Sequence, residues 1–227
     1  MNEAEKNWRR TFSLDLLRSI PMGVTETVGS TFAMFVAVGI LQLSVLAKSA
    51  IIAVPALGLI LSICTLAFIR RVGLSVNKAS AFGWLVAALG YAVVALNPQR
   101  SDMFVVGVVV AMLSHTLAAP LQAQLYRQHY SDKVRGRLFS TVGMLRSVSA
   151  AVFGFFAGSW LLGQGADYAD LFWFFAVASL LKAICTLGVR PVFLRKTAKL
   201  SLLASFVHLR EDKAFRKLIV TWMILGF

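Results

Sequence analysis

Charge and reactive side chains are scarce in this 227-residue chain. It holds ten acidic residues, three histidines and two cysteines, and charged residues of all kinds make up only 15% of it. A soluble domain carries roughly a quarter. With 58% apolar residues and a mean hydropathy of +0.75, the chain does not read as an ordinary cytosolic enzyme. His115, His129 and His208 form no His-x-x-x-His pair, so metalloprotease chemistry has no support. Cys64 and Cys185 stand alone in apolar surroundings, without metal-ligand spacing, and read as small packing residues rather than a disulfide. Neither a Gly-x-Ser-x-Gly elbow nor a phosphate-cradling Gly-x-x-x-x-Gly-Lys loop is present. Ser114 beside His115 points to another helix face, although a Ser/His pair assembled by the fold stays open. The expectation is a protein without catalytic residues, metal site or cofactor.

What the chain does have is long apolar blocks. A transmembrane helix needs about 20 predominantly apolar residues. Blocks of that size fall at about 14–40, 45–69, 75–96, 102–126, 138–162 and 168–189. Continuous blocks argue against an outer-membrane barrel, whose short strands alternate apolar and polar residues. The fold class is therefore all-α, a polytopic bundle of six membrane helices, and the first partner is the lipid bilayer.

The net charge of +13 would suggest nucleic acid in a soluble chain. Here the basic residues segregate by loop. The N-terminus (1–13), the second and fourth loops and the stretch after the sixth span hold eighteen of them, including Arg70, Arg71, Arg135 and Arg137. The three remaining loops hold only Lys48 and Arg100. The positive-inside rule then places the N-terminus in the cytoplasm and the protein in the cytoplasmic (inner) membrane, with no nucleic-acid partner. Arg9-Arg10 resembles a twin-arginine export signal, but Asp15 and Arg18 interrupt the following stretch and no cleavage site follows.

Asn97-Pro98 and the Gly163–Asp167 run are turn signals between antiparallel neighbours. Gly83 and Gly90 in the third span permit close helix approach, as do Gly143, Ser147, Ala151, Gly154 and Gly158 in the fifth. That small face of the fifth span is expected to pack tightly. Residues 190–217 are basic, with Leu200, Leu203 and Val207 at helical spacing, and read as an amphipathic linker on the membrane surface. From 218 to 227 the chain turns apolar again. Ten residues span only about 15 Å as a helix, so this reads as the start of a seventh span.

Ionisable residues inside spans need explanation, because insertion costs about 2.5–3.5 kcal/mol each. Arg18 and Lys182 lie close enough to the cytoplasmic face to snorkel to headgroups. Arg146 lies deeper, and Glu26 and His115 sit near the midplane, where a polar cavity or a partner helix must receive them. His115, Ala119, Gln122 and Tyr126 draw one small-and-polar stripe, and Arg18, Met22, Thr25, Glu26 and Gly29 another. Pro21 and Pro120 lie a turn or so toward the cytoplasm from Glu26 and His115. The expected solute or ion pathway comprises Glu26, His115, Gln122, Arg146, Arg18 and Tyr126. Glu26, His115 and Arg146 together suit an anionic or zwitterionic solute, and suit an internal ion pair as well.

Six spans with both ends inside, a basic fourth loop and a basic linker before a seventh span resemble the major facilitator superfamily. Tyr130-Ser131-Asp132-Lys133-Val134-Arg135-Gly136-Arg137 looks like the Arg-Gly-Arg turn before that family's fifth helix, and Glu211–Leu218 like its entry into the seventh. Arg70-Arg71-Val72-Gly73 keeps part of the family's second-loop signature and lacks its acidic member. The resemblance implies two inverted three-helix repeats, with the first and fourth spans lining a central cavity. It also implies a secondary transporter of a small solute coupled to H+ or Na+, completed by a C-terminal half or a second copy. Glu26 would be the coupling carboxylate, and Arg70, Arg71, Arg135 and Arg137 cytoplasmic gate and topology residues. The alternative is a non-transporting scaffold or half-unit subunit whose polar residues only hold helices together.

Overall fold

The computed structural model describes residues 3–163, 167–194, 217, 220 and 221. The chain divides into two units, 1–194 and 195–227. In the second, the described residues are helical, and Thr221 donates to the Lys217 carbonyl at 2.8 Å. The expected amphipathic helix and the start of a seventh span lie otherwise outside the described residues.

The first unit is built of six long helices. Helix α1 runs over 3–40, α-helical at Glu3–Thr27 and Ala33–Phe35 and π-helical at Val28–Phe32 and Val36–Ile40. The others are α2 (Val45–Val72), α3 (Val76–Leu96), α4 (Ser101–His129), α5 (Asp132–Gly163) and α6 (Tyr168–Gly188). No strand occurs among the described residues. Each boundary has a local cause. Ser44 and Asp167 cap α2 and α6 by accepting from the Ala47 and Ala169 amides at 3.3 and 2.9 Å. Gly73 ends α2 at φ +76°, a left-handed conformation that a side chain disfavours, with its amide on the Ile69 carbonyl.

The packing pairs reveal the internal symmetry. Helix α3 packs on α6, α1 on α5, α2 on α4, α1 on α6, and α3 on α4. Exchanging α1, α2 and α3 with α4, α5 and α6 maps this set onto itself, as two three-helix repeats require. Antiparallel connection makes the repeats inverted. The core lies where α1, α3, α4 and α6 converge, around Val28, Phe32, Val36, Tyr91, Phe104, Phe172 and Phe175. Large apolar side chains cover the outside, among them Leu46, Ile60, Phe68, Phe82, Leu89, Phe155, Phe156 and Phe174. That outer surface suits lipid, where apolar side chains need no cover. Helices α2 to α6 each contain a stretch long and apolar enough to cross a bilayer.

Three expectations are corrected. The small face of α5 is not packed within the unit: Ser147 and Ala151 are exposed, and a methyl group added at Gly143 or Gly158 would meet nothing. Helix α5 instead receives Gly23 of α1, where a methyl group would lie 2.9 Å from the Ala150 nitrogen and 2.8 Å from Ser149 Cβ. Arg135-Gly136-Arg137 is helical, within the first turns of α5, rather than a turn before it. Cys185 is buried, but Cys64 faces outward and packs nothing in.

A close helix approach lies at Gly107 of α4, where an added methyl group would stand 2.5 Å from the Gly90 carbonyl and 2.6 Å from Val94 Cγ2. Gly136, also inside a helix, would meet nothing within 4 Å. Gly107→Ala should therefore destabilise by about 1–3 kcal/mol through overpacking. Gly136→Ala should be neutral or stabilising by about 0.5–1 kcal/mol through reduced unfolded-state freedom. Thermal denaturation in detergent measures both, and equal effects would contradict this packing.

Candidate functional site

Basic residues of the N-terminus, the fourth loop and the end of the sixth span, the last represented by Arg190, lie at one end of the bundle. Arg9 and Ser13 of α1 border a cleft with Arg137 and Thr141 of α5, and Arg10 and Thr11 border another with Arg190. His129 Nε2 lies 3.2 Å from the Arg190 carbonyl. Residues 190–194 run extended from α6 back to the start of α3, where the Val76 amide donates to the Val192 carbonyl at 2.7 Å. The Asn77 amide clamps this strap: Nδ2 donates to the Thr186 and Val189 carbonyls, and Oδ1 accepts from the Val192 amide. Arg70 and Arg71 occupy the last turn of α2 at the same end.

One turn inside lies a buried ion pair. Arg18 is only 2% exposed, and its guanidinium donates to Asp15 Oδ1 at 2.6 Å. It also donates to the Tyr126 hydroxyl at 3.2 Å and to Thr186 Oγ1 at 3.3 Å. The second Asp15 oxygen accepts from the Tyr130 hydroxyl. Burial and the Asp15 carboxylate push the Tyr130 phenol up, so it stays a donor. Arg18 therefore does not snorkel. Asp15 lies one turn away on the same face and neutralises it inside the bundle, which removes the need to reach headgroups.

Further in, three helices meet at Lys182. This residue is 0% exposed, and its ammonium donates to Thr25 Oγ1 of α1 at 2.9 Å. It contacts His115 Nε2 of α4 and lies 4.1 Å from the centre of the Trp84 ring of α3. His115 Nε2 is itself 3.1 Å from Thr25 Oγ1, and its ring stands edge-on to Trp84 at 4.7 Å. The expected snorkelling of Lys182 is thus also overturned. Its position on α6 shares a face with Ser179 and Thr186, both buried, so its stem points into the bundle.

Beside this cluster a cavity of about 290 Å³ opens, lined by Met22, Trp84, His115, Gln122, Tyr126, Phe139 and Arg146 among others. Gln122 is 5% exposed, and neither its Oε1 nor its Nε2 has a hydrogen-bond partner among the described residues. Arg146 Nε lies 3.1 Å from Glu26 Oε2, an ion pair without an aligned hydrogen bond. Both partners are partly exposed on the open side of α1 and α5. Of the residues expected on a pathway, His115, Gln122, Tyr126 and Arg146 line the cavity directly. Glu26 joins them through Arg146, and Arg18 lies behind Tyr126. Arg135 and Arg137 stand at the start of α5, away from the cavity.

Over 97% of its length the chain superposes on the crystal structure of the peptide transporter POT in complex with sulfate, with a TM-score of 0.62 and 16% sequence identity, covering 46% of that chain. The two share a fold. Over 138 residues the chain is 29% identical to multidrug resistance protein MdtH of Aeromonas hydrophila subsp. hydrophila, a stretch that covers 61% of this chain and 34% of the relative. The same protein of Aeromonas salmonicida is 28% identical over a stretch of equal extent. The chain spans about a third of the length of the curated relatives it matches. No family model matches the sequence. The relatives are named as a resistance protein and a transporter, not as enzymes.

Sequence reasoning missed the places of Asp15, Lys182, Trp84, Asn77 and Tyr130 in the polar interior of this bundle. The Asp15–Arg18 spacing of three was a readable signal of a helix-face pair. The Ser179, Lys182, Thr186 stripe was a second. Removing one partner of a buried pair leaves an uncompensated charge. Asp15→Asn should cost about 3–5 kcal/mol, while the double change Asp15→Asn with Arg18→Met should recover most of it. Thermal denaturation of the solubilised protein tests this; a double variant no more stable than the single would remove the pair from the account.

Proposed function

We propose that the chain forms the cavity-lining six-helix bundle of a secondary transporter that moves a small solute by alternating access. The observation that carries the reading is the cavity itself. Gln122 turns toward it an amide with no hydrogen-bond partner among the described residues, a costly arrangement for a residue that serves helix packing alone. A scaffold would bury an apolar side chain there instead.

The lining supports a solute that is small and amphiphilic. Trp84, Met22, Phe139 and Val142 offer apolar and aromatic surface, while Gln122, Tyr126 and His115 offer hydrogen bonds. The multidrug resistance name of the relatives accords with such a solute. Arg146 is engaged by Glu26, so the pair behaves as a neutral unit until one partner is claimed by a ligand or a proton. Glu26 is the coupling carboxylate in this reading: protonation releases Arg146 to the cavity, and deprotonation recaptures it. The membrane potential supplies about 2.3 kcal/mol per charge per 100 mV, enough to drive such a cycle.

Positive-inside placement puts the basic end, with Arg70, Arg71, Arg135 and Arg137, on the cytoplasmic face of the inner membrane. The cavity is open toward α1 and α5, and a C-terminal half or a second copy would close it. Glu26→Gln should abolish gradient-driven solute transport in proteoliposomes while sparing solute exchange. Unchanged gradient-driven transport would remove Glu26 from the mechanism.

A further inference from the structure

The Lys182 cluster is not used by that mechanism, and its charge arithmetic is unusual. Its ionisable members are two bases, Lys182 and His115, in direct contact. Among the described residues no carboxylate lies within ion-pair distance of Lys182. The groups facing it from each neighbouring helix are Thr25 of α1, Trp84 of α3 and His115 of α4. The other cations nearby are already paired. Arg18, about two turns from Thr25 toward the basic end, is held by Asp15, and Arg146, across the cavity, by Glu26.

We propose that Lys182 and His115 hold one exchangeable proton between them, reached from the cavity through His115. In the loaded state the ammonium donates to Thr25 Oγ1 and, across its contact with His115 Nε2, to a neutral imidazole that accepts. A second proton would place two cations in contact without a counter-ion. Removing the proton leaves a neutral amine and a neutral imidazole, which can still hydrogen-bond. The pair therefore has two allowed states, differing by one proton. Loading transfers a proton from hydronium in the cavity to the pair and leaves water; unloading reverses this.

Access is one-sided. Lys182 is sealed, whereas the His115 ring forms part of the cavity wall. The Trp84 face stabilises the charged state by cation–π attraction and loses that contact when the proton leaves. Thr25 adjoins Glu26 on α1, so the change in charge is sensed one residue from the Glu26–Arg146 pair. Sodium is a poor occupant, because a bound Na+ wants several oxygen ligands and the cluster presents one hydroxyl among nitrogens. This inference rests on the carrier reading only for its consequence, namely that the coupling ion is H+.

Tryptophan emission of the purified protein reports the pair directly, because Trp84 lies against the ammonium. The expected result is a one-proton step in emission between about pH 5 and 10. That step should be absent in Trp84→Phe, in Lys182→Met and in Lys182→Arg, whose guanidinium does not release its proton. Lys182→Met removes a buried charge without opening space and is expected to fold. Lys182→Arg keeps the charge, so it should also lose gradient-driven transport at least tenfold while retaining exchange. A step that persists in Lys182→Met, no step in the unaltered protein, or unimpaired gradient-driven transport by Lys182→Arg would each overturn the proposal. A titrating protein that moves no solute would defeat the carrier reading and leave the shared proton standing. A working carrier whose emission does not titrate would do the reverse.

Discussion

The architecture turns on the burial of Arg18. A guanidinium inside a helical bundle is tolerated only when its charge and its donors are met, and Asp15, Tyr126 and Thr186 meet them from three helices. The bond to Thr186 ties α1 to the end of α6, and the Thr186 carbonyl is one of the groups clamped by Asn77 of α3. From there the clamp reaches the extended strap at Val192. Four helices and the outgoing chain are thus fixed to one another at the basic end. With that end pinned, the more polar α1 can run beside five apolar neighbours.

Beyond this knot the interior changes character stepwise. The Lys182, His115, Thr25 and Trp84 cluster joins the same helices through fewer bonds and, among the described residues, no carboxylate. Next comes the cavity, where Gln122 has no hydrogen-bond partner among the described residues and the Glu26–Arg146 pair is half exposed. Among the described residues the polar side chains are thus more fully bonded around Arg18 than around the cavity. The two π-helical segments of α1 begin just after Glu26 and sit against the apolar core around Phe32 and Phe175. Such segments often accompany functional sites, because the inserted residue re-aims the side chains around it. Fixed end, adaptable middle and apolar far end together give α1 a gradient of restraint along its length.

Much of the fold was legible in the sequence. Each of the six apolar blocks corresponds to a helix, and the turn chemistry at Asn97-Pro98 and Gly163–Asp167 falls between helices. These signals are local and compositional, and the bilayer enforces them on every segment alike. The stripe His115, Gln122, Tyr126 on α4 was likewise readable, because helical periodicity alone places those residues on one face. What misled were residues whose direction depends on a partner. Arg18 and Lys182 carry long stems that could have reached headgroups, and the polar neighbours on their own helices hint at an inward turn without showing which partners receive them. The glycines of α5 misled for a related reason. A small face permits close packing, but the helix that comes close chooses Gly23 of α1 as its contact.

By itself the sequence determined the number of long helices, their order and the segregation of basic residues by loop. These follow from run length, periodicity and the cost of charge in lipid, all of which act on a segment without reference to its neighbours. Only the tertiary structure decided which polar residues meet. Lys182 and Thr25 are separated by 157 residues and Asp15 and Tyr130 by 115. Their contacts exist because inverted pairing of two three-helix repeats brings α1, α4 and α6 to one axis. Pairing is a property of whole helix faces in competition for the same partners, and no single segment encodes the outcome.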